Sequence, residues 1–137
     1  MRKINYIAIH CTATPQNTTI DSILNYWRKN LGWKSPGYHF IIEANGNISN
    51  LLPIKEISNG VAGYNSQTIN IAYIGGFNGN KPIDNRTREQ KKSLEELIIK
   101  LHIDFPNAKI QGHRDFPNVK KDCPSFDVEK WLNEIGI

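Results

Sequence analysis

The stretch Ile4-Asn5-Tyr6-Ile7-Ala8-Ile9-His10 carries the first decision about the fold. A short apolar run bounded by polar residues reads as a strand buried in a sheet. It ends in a histidine, so that imidazole is expected at the C-terminal edge of the sheet, where open α/β folds place their sites.

Outward from this run, residues 11–18 are rich in Thr, Pro and Asn and read as a loop. Thr19 can cap a helix with Asp21 in its first turn. Ile20, Ile23, Leu24, Trp27 and Leu31 follow helical spacing, and Gly32 suits the stop. After Ser35-Pro36-Gly37, residues 38–42 predict a strand, joined to residues 48–52 by a hairpin of the Asn45-Gly46 type. Residues 53–67 read as loop, 69–75 as strand, and a Gly- and Asn-rich surface loop runs to about Asn85. Thr87 caps the longest predicted helix, ending near Asp104, with Leu94, Leu97, Ile98 and Leu101 on its inner face. Residues 109–111 form a short strand, and Asp127 caps a last helix carrying Val128, Trp131, Leu132 and Ile135. Strands alternating with helices, plus one hairpin, predict a single α/β domain over residues 1–137, its one mixed central β-sheet flanked by helices.

With 137 residues, 39% hydrophobic and 22% charged, the chain can bury a core without staples. No apolar run approaches the ~20 residues that span a bilayer, so membrane insertion is not expected. A secretory leader is not expected either, which implies synthesis in the cytoplasm. The net charge of +4 favours polyanions, acidic cell-wall polymers among them. The basic residues are scattered, Lys91-Lys92 and Lys120-Lys121 being the adjacent lysine pairs, and no nucleic-acid-binding motif accompanies them. Of the two cysteines, Cys11 falls on the strand face opposite His10 and reads as a small buried apolar residue.

Chemistry concentrates in Gly112-His113-Arg114-Asp115 and Lys121-Asp122-Cys123-Pro124-Ser125-Phe126. Together with His10, these segments supply two imidazoles and one thiolate. Such a set can hold a zinc ion and leave its fourth position open, as catalytic rather than structural sites do. Each residue also has a plainer reading. His10 alone is more often a satisfied structural histidine, and Gly112–Asp115 can be only a polar turn. Asp115 can brace the backbone or orient an imidazole. Cys123, in a polar loop beside lysines, is expected outside the core and partly ionised.

The segments Ile7–Thr14, Gly37–Ile42, Val61–Ser66, Gly112–Asp115 and Lys121–Asp127 stand in the order seen in a known family. From residue 4 to about residue 132, the chain resembles zinc-dependent N-acetylmuramoyl-L-alanine amidases of the phage T7 lysozyme type. These belong to the wider amidase and peptidoglycan-recognition-protein superfamily. The resemblance implies one zinc ion per chain on His10, His113 and Cys123, and catalytic roles for Tyr38 and Lys121. Lys120 is the neighbour from which Lys121 must be told apart. Tyr38 would donate to an oxyanion or position water. The implied substrate is peptidoglycan, cut between N-acetylmuramic acid and L-alanine, so a groove is expected. Trp33 and Asn65 are candidates to line it, with a core place and a turn role as their plainer readings; Trp27 is assigned to the core. The implied setting is a phage or prophage endolysin, monomeric, reaching the wall through another system. The rival is a non-catalytic peptidoglycan-binding module, which typically has serine at the cysteine position. One departure stands out. Where many members have a Ser-Ile-Gly-Ile-Glu-like strand, this chain has Thr68-Ile69-Asn70-Ile71-Ala72.

Overall fold

In the computed structural model, which describes residues 2–137, the N-terminal run is β1 (Tyr6–Cys11). It pairs in parallel with β4 (Thr68–Tyr73) on one side and with β7 (Lys109–Gly112) on the other. β2 (Phe40–Ile42) runs parallel to β4 on its far side, and β3 (Ile48–Asn50) closes that edge antiparallel. The order is therefore β3-β2-β4-β1-β7, one mixed sheet as predicted.

Period-2 alternation sorts β1 into two faces. Ile7, Ile9 and Cys11 join Ile69, Ile71 and Tyr73 in the main core. That face is covered by α2 (Arg88–Asp104) and α3 (Val128–Ile135). Leu94, Leu97, Ile98 and Leu101 of α2 are all buried there, each contributing about 1.5–3 kcal/mol through its removal from water. Thr87 and Gln90 form a capping box that starts α2, with reciprocal bonds of 3.0 and 2.9 Å. Asp127 caps α3 through the Lys130 amide, and Gly136 ends it at φ +84°. Ala8 and His10 take the other face, which carries the site.

Four details depart from the expectations. α1 (Ile20–Asn25) passes into a wider π-type turn over Tyr26–Asn30. Trp27 faces inward as its spacing implied, but the wider turn shifts the phase beyond it, so Leu31 is 43% exposed. The hairpin places Glu43 opposite Asn47 around three residues, not two, with Gly46 at φ +90°. A left-handed residue closing a three-residue loop is the next most common hairpin geometry. β2 begins only at Phe40, which leaves Tyr38 outside the strand. The Gly- and Asn-rich loop holds a small ribbon, β5 (Phe77–Asn78) with β6 (Lys81–Pro82), too short to show a period in the sequence. Among the described residues, no helix is long and apolar enough to cross a membrane.

Candidate metal centre and its groove

β1 carries His10 to the end of the sheet, where the residue is 1% exposed. β7 ends beside it, and the chain turns immediately into a single 3-10 turn, His113–Asp115. Asp115 Oδ2 accepts from the Gly112 amide at 2.9 Å. Of its two expected roles Asp115 takes the first: it braces the backbone of its own turn, which corrects the idea that it orients an imidazole. A side chain at position 112 would meet Pro124 Cδ at 2.7 Å, so glycine lets the loops that carry His113 and Cys123 close together. The ring centroids of His10 and His113 are 4.7 Å apart.

The Cys123 loop is tethered from several directions. The Arg114 amide donates to the Cys123 carbonyl at 2.8 Å, Tyr73 Oη to the Pro124 carbonyl at 2.6 Å, and Ser125 Oγ to the Gly76 carbonyl at 2.9 Å. These bonds draw a polar loop inward, so Cys123 is 8% exposed, contrary to the expected place outside the core. The hydrogen-bonding Cys11 thiol and burial push the Cys123 thiol well above its ordinary value, outweighing the charge of Lys121. A bound cation would have to displace that proton.

The Cys123 sulfur and one nitrogen from each imidazole lie within 4.8 Å of one another. Burial, then the charges of His113 and Lys121, bring His10 down to about 3; its hydrogen bond to Asn70 opposes them. Burial and then Lys121 bring His113 down to about 4. Both rings are therefore neutral at neutral pH and offer lone pairs. Two neutral imidazoles and a thiol on such a small span fit a divalent metal ion of zinc-like preference.

These residues sit in an open groove of about 660 Å³. Tyr38 stands half-buried at its rim, ring centroid 5.1 Å from that of His10 and edge-on to Trp27 at 5.3 Å. Its Oη donates to the Cys11 carbonyl at 3.4 Å, and burial holds the phenol protonated. Lys121 also lines the groove, and its charge is felt at His10, His113 and Cys123 alike. Trp33 lines the wall, stacked on Trp27 at 6.2 Å and 25°. Trp27 itself is buried, as assigned.

Asn65 is a correction. It does not line the groove; its Oδ1 accepts from the Val61 amide at 2.7 Å, which is the turn role. The sequence reading also missed buried Asn70, Ser58 and His39, which lie behind His10. Their signals were a lone polar residue inside the run Ile69-Asn70-Ile71 and the departure there from the glycine of the resembled strand pattern.

Residues 1–126 match the N-acetylmuramoyl-L-alanine amidase family. The endolysin of Escherichia phage T7 is 33% identical over 128 residues, covering 91% of this chain and 83% of that protein. Among solved structures, the Ph2119 endolysin from Thermus scotoductus MAT2119 bacteriophage Ph2119 aligns at TM-score 0.84 and 26% identity, covering 99% of this chain and 86% of that one. The N-acetylmuramoyl-L-alanine amidase LysC from Clostridium intestinale URNW aligns at 0.83 and 27%, covering 99% and 87%. The chain belongs to the N-acetylmuramoyl-L-alanine amidase family, and its fold is the one the motif order implied.

Proposed function

We propose that this protein is a zinc-dependent endolysin that hydrolyses the amide between N-acetylmuramic acid and the L-alanine of the peptidoglycan stem. The observation that carries the reading is the convergence of His10, His113 and Cys123 in an open groove. The amidase family and an endolysin relative support the bond and the setting. An amide is a weak electrophile with a poor leaving group, so its hydrolysis needs an activated water and stabilisation of the oxyanion. Zinc, when bound, supplies Lewis acidity that polarises the carbonyl and makes water nucleophilic near neutral pH.

The chain's own residues supply the rest. His10, His113 and Cys123 hold the metal. Lys121 places a fixed positive charge at the mouth of the ligand cluster, where negative charge develops on the carbonyl oxygen. Tyr38 stays a phenol at neutral pH and so keeps an O–H to donate, which suits it to the same oxyanion. The open groove with Trp33 on its wall accepts an extended glycan-peptide rather than a small closed substrate. The protein works as a monomer and reaches the wall after release by another system.

Digestion of purified peptidoglycan tests this. Release of stem peptides with new L-alanine amino termini, abolished by chelator and restored by zinc, is expected. New reducing sugar ends without new amino termini would overturn it.

A further inference from the structure

Asn70 lies within β4, fully buried, on the sheet face shared with His10. Its Oδ1 is 2.8 Å from His10 Nε2, and its Nδ2 donates to Ser58 Oγ at 2.7 Å. Ser58 Oγ is 3.1 Å from His39 Nδ1. The same Nδ1 receives the Asn70 backbone amide at 3.0 Å, and His39 Nε2 faces the Glu56 carbonyl at 2.7 Å. All four side chains are at most 1% exposed, so water does not compete for these groups.

Two backbone groups fix the His39 tautomer, and the other protons in this chain of contacts follow from it. A backbone N–H only donates and a carbonyl only accepts. His39 therefore carries a lone pair on Nδ1 and its proton on Nε2. Arg2 Nη2, 3.1 Å from that Nε2, is then a neighbouring charge and not a hydrogen-bond partner. With Nδ1 unprotonated, the Ser58 hydroxyl can only donate toward it, sharing that lone pair with the Asn70 backbone amide. It accepts from Asn70 Nδ2, which also faces the acceptor Asn65 Oδ1 at 3.5 Å. That orientation turns the Asn70 carbonyl oxygen toward His10. An amide oxygen only accepts, so His10 must carry its proton on Nε2, leaving the lone pair on Nδ1.

We propose that Asn70 is a positioning residue that locks His10 in the Nε2–H tautomer and so presents Nδ1 to the metal alongside His113 and Cys123. The proposal rests on the reading of His10 as a ligand. A residue that hydrogen-bonds the far nitrogen of a ligating histidine sets both its tautomer and its ring orientation. Asn70 stands where the chain departs from the glycine of the resembled pattern, and a glycine could not make this bond. Space for it comes from Gly60, where a Cβ would lie 2.3 Å from Asn70 Cγ. The two positions act as a pair: a side chain at 70 requires none at 60.

The test reads the proton directly. Long-range 1H–15N correlation spectra of the purified, 15N-labelled protein are expected to show the His10 proton on Nε2; a proton on Nδ1 would overturn the proposal. Asn70→Leu, similar in size but without an acceptor, is expected to weaken zinc roughly tenfold to a hundredfold in competition with a chelator. Asn70→Asp, which keeps an acceptor, is expected to recover most of that loss. Parental zinc affinity in a folded Asn70→Leu would also overturn it; if that variant does not fold, the parental spectrum still decides. Undiminished zinc affinity in His10→Ala would overturn the ligand reading instead. The two failures are separable, because the spectrum reports the tautomer whether or not the ring holds metal.

Discussion

The backbone amide of Cys11 donates a 3.1 Å hydrogen bond to the sulfur of Cys123, 112 residues further along the chain. This bond holds the thiol over the end of the strand that carries His10, and it ties the candidate metal centre to the central sheet. An N–H donor aimed at the sulfur also stabilises thiolate once a cation has displaced the thiol proton.

Cys123→Ser is expected to lose zinc while the parent holds close to one equivalent by elemental analysis. A serine hydroxyl does not ionise near neutral pH and is a poor zinc ligand. Full zinc retention after loss of both His10 and Cys123 would remove this site from consideration.

Lys121→Ala is expected to bind zinc and peptidoglycan as the parent does and to turn over roughly a hundredfold more slowly, the scale of one lost oxyanion donor. Lys120 lines the same groove and is as exposed as Lys121, but it is not among the charges acting on His10, His113 and Cys123. Lys120→Ala is therefore expected to change the rate by less than about threefold. The measurement is the rate of soluble peptide release by the two variants. The reverse ranking would assign the catalytic charge to the other lysine.

Tyr38→Phe keeps the ring packed between His10 and Trp27 and removes only the hydroxyl. Its expected signature is an unchanged KM, retained zinc and a kcat lower by about tenfold to a hundredfold. A rise in KM alone would make Tyr38 a binding residue.

The metal-free protein is expected to weaken in mild acid. His10 and His113 sit near 3 and 4 in the folded protein, below the ordinary ~6.5 of an unfolded histidine. The unfolded chain therefore takes up protons first as pH falls. Stability is full above about 6.5 and declines as pH drops toward 4 to 3. Urea midpoints of chelator-treated protein between pH 7.5 and 4, at roughly half-unit steps, measure this. His113→Asn is expected to flatten the slope, and a slope unchanged in that variant would place its origin elsewhere.

Gly76→Ala is expected to destabilise by at least about 2 kcal/mol, the sum of left-handed strain and overpacking. Gly76 has φ +93°, and a Cβ there would lie 2.4 Å from Cys11 Cβ and Sγ. Denaturant unfolding of the zinc-loaded variant measures it; parental stability would show that the sheet end can yield.

Much of this was legible in the residue order alone. The run ending in His10, the Thr87 cap, the inner face of α2 and the Asp127 cap are local facts, set by side-chain period and by which side chains can accept an orphan amide. The candidate metal-binding set took more than residue order: His10 alone reads as a structural histidine, and it was the order of motifs shared with a known family, Gly112-His113 and Asp122-Cys123-Pro124 among them, that pointed to it. What tertiary structure alone decided is whatever depends on contact between distant segments. Burial of Cys123 follows from tethers to Arg114, Tyr73 and Gly76, which no local composition encodes. The exposure of Leu31, which a 3.6-residue period placed with Trp27, follows from a π-type turn that such a period cannot anticipate. Asn65 looked like a groove residue because polarity in a loop does not reveal which backbone amide will claim its oxygen. The role of Asn70 lay furthest from view. The sequence displays a polar residue in an apolar strand, but a buried amide acquires direction only from its partners. Here those partners are brought together by the parallel pairing of β1 with β4 and by the packing of the loop that carries Ser58.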